Sequence, residues 1–166
     1  IEILKNIILL KLNTVMDRKD QLILQELQKN GKISNLELAG RINLSESSCL
    51  RRVKTLEEKG YLTGYAALVD QKMAGYPNDV LVRITLLSQD KQNLEAFESE
   101  IHNIPEVMEC YLMSGDSDYL LRVVVSDARD YERLHSQHLT RLPGVDRVHS
   151  SFALRTVVKN KILPVR

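Results

Sequence analysis

The sequence predicts an α+β protein in two parts: three helices, then the order strand, helix, strand, strand, helix, strand. Three observations carry that reading. Apolar residues recur at helical spacing in three short segments before Gly60, each bounded by a capping residue or a glycine. Beyond Gly75 and Pro77 they alternate instead, in stretches separated by two further helical segments. The links Ile104-Pro105-Glu106-Val107 and Leu142-Pro143-Gly144-Val145 each carry a helix into a strand, as two similar halves would.

In the first part, DRKDQLILQELQKNG places Ile23, Leu24 and Leu27 at helical spacing and stops at Gly31, so a helix is expected from Asp17 to about Asn30. Ser34, with Glu37 three residues on, forms a capping box, in which each side chain satisfies an orphan backbone N–H. A second helix is expected from Asn35 to about Ile42. Asn43 and Leu44 then turn the chain, and Ser45 caps a third helix that runs to Lys59 before Gly60. On this third helix Cys49, Val53 and Leu56 share a core face, with Leu50 beside them. The opposite face carries Ser47, Arg51, Lys54 and Thr55, flanked by Ser48 and Arg52.

Two helices on a tight turn, the second beginning with serines and arginines, make a probe for the DNA major groove. Small hydroxyl side chains let the helix N-terminus approach bases and phosphates, and each bidentate arginine–guanine contact is worth ~1–3 kcal/mol of discrimination. Lys54 and Lys59 suit phosphate, which sets register without reading sequence. The residues expected at double-stranded DNA are Asn35, Ser45, Glu46, Ser47, Ser48, Arg51, Arg52, Lys54 and Thr55. Any three-helix domain has a polar outer face, so charge alone leaves DNA binding open. The turn, the hydroxyl cluster and a ribbon from Gly60 to Tyr65 that could form a wing favour a winged helix-turn-helix.

A linking strand from Tyr65 to Val69 leads into the second part, where Val80, Val82, Ile84 and Leu86 alternate. Lys91 to His102 places Leu94, Phe97 and Ile101 on one helical face. Strands are expected from Val107 to Met113 and from Tyr119 to Ser126, then a helix with Tyr131, Leu134 and Leu142, and a last strand from about Asp146 to Val157. This is the ferredoxin-like βαββαβ order. Both helices cover one face of the sheet. The other should be polar, yet Leu81, Leu87, Cys110, Leu112, Leu120 and Val124 are expected there, opposite Val82, Tyr111 and Leu121 and interrupted mainly by Arg83 and Arg122. A second copy of the same sheet is the simplest cover, which makes this a dimerisation domain.

The loop Ser114-Gly115-Asp116-Ser117-Asp118-Tyr119 has the chemistry to hold both charged ends of a free amino acid. Its backbone N–H groups can bind a carboxylate and an aspartate can take the ammonium. A glycine-aspartate loop is also a common hairpin turn, and on the residues alone that plainer reading stands ahead.

Composition narrows the function classes. With 23 basic against 22 acidic side chains, no global polycation exists, so DNA affinity must come from local placement and repetition in an assembly. Cys49 and Cys110 are too few for a disulfide framework or a zinc site and fit reduced thiols in a cytoplasm. His135 and His138 have no third ligand at metal spacing, and neither a nucleophile–base arrangement nor a phosphate loop is legible, so no enzyme, metal or cofactor is expected. Residues 1–15 are apolar but interrupted by Lys5 and Lys11 and shorter than the ~20 residues of a membrane span, so no membrane partner is expected. Met16 is the expected natural start, with residues 1–15 an artefactual extension or, alternatively, an extra amphipathic helix. The expected division is 16–64 for the DNA-binding domain, 65–78 for the linking strand and linker, and 79–166 for the ligand-binding and oligomerisation domain.

Taken together, ISNLELAGRINLS, CLRRVKTLEEKGYLTGYAALVD, GDSDYLL and LPGV resemble the Lrp/AsnC, or feast/famine, transcription factors, from Met16 to Arg166. The resemblance implies a homodimer that commonly assembles to an octamer in the cytoplasm, on the nucleoid. It also implies an amino-acid effector near the glycine-aspartate loop, at Ser114, Gly115, Asp116, Ser117, Asp118 and Tyr119, with His149, Ser150 and Ser151 contributed by the last strand. A leucine-like or methionine-like effector is the first expectation. The rival readings are a ligand-independent architectural DNA-binding protein and a small-molecule binding or catalytic ferredoxin-like module.

Overall fold

A computed structural model of the chain describes residues 16–160 and 162–165. They group into two compact units: the described residues up to Ala67 together with those from Val158 onward, and Leu68–Val157.

The first unit holds α1 (Arg18–Lys29), α2 (Asn35–Arg41) and α3 (Glu46–Glu58). Each starts at a side chain that accepts a backbone N–H of the first turn: Asp17 from Asp20, Ser34 from Glu37 and Ser45 from Ser48. Such caps contribute roughly 1 kcal/mol apiece. Only half of the expected capping box forms, because the Glu37 carboxylate swings along the helix to Arg41 at 2.8 Å, a charged partner one turn away. Asn43 makes the turn with φ 53, a left-handed value that asparagine tolerates. Gly60, at φ 73, ends α3 by letting Tyr61 N–H reach back to Leu56 C=O.

Ile23, Leu24, Leu27, Leu38, Ala39, Ile42, Cys49 and Leu56 form the core of this unit. Leu50, expected beside that face, is instead 56% exposed, since a 100° step beyond Cys49 carries it off the buried stripe. The tail that follows the sheet returns here: Gln28 donates to Leu163 C=O and accepts from Leu163 N–H, and Val165 packs on the core. The wing and the linking strand do not form as paired strands among the described residues; 63–70 run without a ladder partner. Tyr65 is tied to the end of α3 through Glu57, while Leu68 and Val69 stand exposed.

In the second unit β1 (Asn78–Leu86), α4 (Lys91–Ile101), β2 (Val107–Leu112), β3 (Tyr119–Val125), α5 (Ala128–Gln137), a 3-10 turn (Leu139–Arg141) and β4 (Val145–Phe152) follow in order. The sheet runs β2-β3-β1-β4 with every neighbour antiparallel, the expected ferredoxin-like arrangement. Helix α5 ends before Leu142, which lies beyond the 3-10 turn, and β4 stops at Phe152 rather than Val157. Val80, Val82, Ile84, Leu121, Val123 and Val125 face the helices and close over Phe97 and Leu134.

The expected pattern on β2 is inverted. Cys110 lies opposite Leu121 and Leu112 opposite Tyr119, which puts both on the helix side, while Tyr111 lies opposite Leu120 on the rear. A register irregularity between Val107 and Glu109 is the cause, because one extra residue flips every side chain beyond it. The rear face is also more polar than expected: Arg122 reaches Asp79 and Glu109 at 2.9 Å, and Tyr111 donates to Glu109. Apolar surface persists at Leu81, Tyr111 and Met113.

Candidate nucleic-acid interface and effector loop

Helix α3 presents Ser45, Glu46, Ser47, Arg51 and Lys54 to solvent. Arg51 and Lys54 have no ion-pair partner among the described residues, so both charges are open to a ligand. At the helix start the Ser45 and Ser47 hydroxyls lie 3.4 Å apart, beside backbone N–H groups that have no helical acceptor. Phosphate oxygens and base edges are the chemistry that matches such an end.

Four of the nine expected DNA contacts are half-buried, and three of those four have their side chains bonded within the fold. Asn35 donates to Glu46 C=O at 3.0 Å and pins the start of α3 to α2; its buried Oδ1 has no partner. Thr55 turns its hydroxyl back onto Arg51 C=O. Ser48 is half-buried, with its N–H taken by the Ser45 cap. Arg52 donates from Nη1 to Asp17 at 2.6 Å and to Asp20 at 2.7 Å. The Asp17 carboxyl is held below the ordinary range, first by the Asp20 backbone N–H and then by Arg52. Lys19, not singled out from the sequence, donates to Ile42 C=O at 2.5 Å and closes the end of α2. No local pattern marks the ties of Asn35, Arg52 and Lys19, since their partners lie 11 to 35 residues away along the chain.

In the loop, Ser114, Gly115 and Asp116 are exposed and Ser117 is half-buried. Gly115 has φ 134 with open space where a Cβ would sit, so the backbone conformation and not crowding calls for glycine. Asp118 is buried and accepts from Leu86 N–H and from Gln89 Nε2, each at 2.6 Å. Its carboxylate therefore ties the start of β3 to the end of β1. Tyr119 is a core residue, stacked on Phe97 at 4.3 Å with its hydroxyl donating to Glu98. Burial and that carboxylate push its pKa up.

Alternation along β4 splits the remaining three. His149 and Ser151 lie on the rear face opposite Arg83 and Leu81, with His149 Nδ1 3.2 Å from Arg83 Nη2. Ser150 lies on the helix side and hydrogen-bonds the Tyr131 hydroxyl. The open polar groups are thus the loop edge Ser114–Asp116 and the rear pair Arg83 and His149. Among the described residues no cluster of His, Cys, Asp or Glu could hold a metal ion, and no helix is long and apolar enough to cross a membrane.

Two family profiles match the chain: a winged helix-turn-helix DNA-binding domain over residues 16–63 and an Lrp/AsnC ligand binding domain over 79–163. The leucine-responsive regulatory protein of Haemophilus influenzae is 40% identical over 156 residues, 94% of each chain. A transcriptional regulator from Neisseria meningitidis, solved in complex with L-methionine, superposes with TM-score 0.86 at 34% identity, covering 90% of this chain and 97% of that one. A feast or famine regulatory protein from M. tuberculosis, also solved with L-methionine, gives TM-score 0.78 at 32% identity, covering 88% and 97%. The chain belongs to the Lrp/AsnC family of transcriptional regulators, which join a winged helix-turn-helix DNA-binding domain to a ligand-binding domain.

Proposed function

We propose that this regulator reads discrete DNA sites with the outer face of α3, and that a small apolar amino acid, methionine or leucine, tunes its assembly or its DNA binding. The observation that carries the DNA part is the exposed, unpaired Arg51 and Lys54 on a helix that starts with three serines among its first four positions from the cap. The amino-acid part is supported by the L-methionine complexes of the Neisseria and M. tuberculosis regulators. In this chain the exposed edge Ser114–Asp116 offers backbone N–H groups and a carboxylate, and Arg83 with His149 and Ser151 offers donors on the rear face.

The working division is a reader at 16–64, a linker at 65–78 and a sensor from 79, with the tail from Val158 packed on the reader. Two sensors pair through their rear sheet faces, where Leu81, Leu120 and Tyr111 supply apolar area, and such dimers build an octamer. Each added reader multiplies a modest patch. A ligand that binds one assembly better than another shifts the population toward it, and this is the regulatory step. The protein acts in the cytoplasm, on the nucleoid.

Footprinting on promoter-length duplexes, with and without L-methionine or L-leucine, tests both halves. Discrete protected sites that change with either amino acid are expected. Uniform protection unaffected by any of the twenty amino acids would favour an architectural protein instead.

A further inference from the structure

We infer that Arg52 is a positioning residue, a latch that sets the rotation of the reading helix against α1, and not a contact to DNA. The inference rests on the reading of α3 as the DNA reader.

Donor accounting carries it. A guanidinium has five N–H donors: two on Nη1, two on Nη2 and one on Nε. In Arg52 Nη1 serves both Asp17 and Asp20, and Nε is shut away from solvent. Only Nη2 is left, so Arg52 cannot present the two-nitrogen fork that reads guanine or grips a phosphate. Arg51, one position earlier, is exposed and has no ion-pair partner among the described residues.

Geometry explains why a latch is needed. Helix α3 offers the core only Cys49 and Leu56 as fully buried residues, with Val53 half-buried. Apolar contacts of that kind resist separation better than they resist turning about the helix axis, because they are not directional. A charged bond to a fixed point is directional. Asp17 and Asp20 are such points, since they form the capped first turn of α1 and flank the guanidinium at nearly equal distances. The Asn35 bond to Glu46 C=O holds the start of α3, and the Arg52 latch holds a point further along it. Together they fix where Ser47, Arg51 and Lys54 aim.

The test uses the full chain, a duplex enriched by the wild-type protein from a random library, and a scrambled duplex of the same composition. Variants are Arg52→Gln, the pair Asp17→Asn with Asp20→Asn, the triple, and Arg51→Gln. Asparagine keeps the α1 cap while removing the charge. For the latch, Arg52→Gln and the aspartate pair each reduce the preference for the enriched duplex by about tenfold, the scale of one misread base pair. The triple loses no more than either, and the salt slope on scrambled DNA is unchanged. Loss of folded protein alone would weaken both duplexes equally and leave the preference intact.

Two results overturn the latch. In one, the aspartate pair binds both duplexes more tightly with preference kept, while Arg52→Gln lowers the salt slope by about one, as loss of a direct phosphate contact would. In the other, Arg52→Gln changes nothing while Arg51→Gln weakens binding. If Arg51→Gln also changes nothing, the reading of α3 itself fails along with the latch.

Discussion

Replacing Asp118 by alanine should destabilise the sheet unit without involving any ligand. The carboxylate is 5% exposed and accepts two hydrogen bonds at 2.6 Å, from Leu86 N–H and Gln89 Nε2. Hydrogen bonds to a charged group are worth ~1.5–3 kcal/mol net, and alanine would also leave the Leu86 N–H buried without an acceptor. Because Gln89 is exposed and can turn to water, the loss should be ~3 kcal/mol rather than the sum of both bonds. Asparagine keeps a carbonyl oxygen for Leu86, so Asp118→Asn should cost only ~1 kcal/mol. Urea unfolding at fixed protomer concentration reads this directly. With a slope of ~1–3 kcal/mol/M the midpoint for alanine falls by ~1–3 M while the slope holds. If alanine stays within ~0.5 kcal/mol of wild type, the carboxylate is not structural, and Asp118 returns to the pool of groups free to meet an ammonium.

Arg51→Ala combined with Lys54→Ala should weaken binding to any duplex and lower the salt slope by about two in a gel-shift titration, with circular dichroism unchanged. Truncation after Val157 removes both Gln28–Leu163 bonds and the packed Val165, so the helical unit should lose ~1–3 kcal/mol; Gln28→Ala alone should lose less, in the same direction, by thermal melting. Asp17 and Asp130 both have carboxyl pKa values below the ordinary 3.8, Asp130 first through the Ser126 backbone N–H and then through Arg133. A depressed folded pKa means the contribution is fully present above that ordinary value and is lost as pH falls through the folded one, so melting temperature should hold from pH 7 to 5 and drop below pH 4. Asp17→Asn with Asp130→Asn should flatten that acid limb; an unaltered limb would show that other groups govern it.

What was legible in the sequence was what neighbours along the chain decide. The caps at Ser34 and Ser45 lie within three residues of the N–H groups they satisfy, and the alternation of β1 needs no knowledge of its partners. The site was legible as a segment but not as a set of contacts. Arg51 and Arg52 differ by one helical step in a string of similar residues; their roles separate because Asp17 and Asp20, 35 and 32 positions before Arg52, fold back onto only one of them. The family resemblance implies His149, Ser150 and Ser151 together, although strand pleating sends the middle one to the other face.

By itself, then, the sequence determined the order of the helices and sheet strands, the starts of the first three helices and the family, because periodicity, capping and motif spacing are local properties of the chain. Tertiary structure alone decided which polar groups are spent inside the fold, at Arg52, Asn35 and Asp118, and which charges remain open, at Arg51 and Lys54. It also decided the two faces of β2, through a bulge that no local pattern announces. The physical reason is the same in each case: a hydrogen bond or a ladder pairing is made by atoms close in space, and the partners of those hydrogen bonds lie 11 to 35 residues apart along the chain.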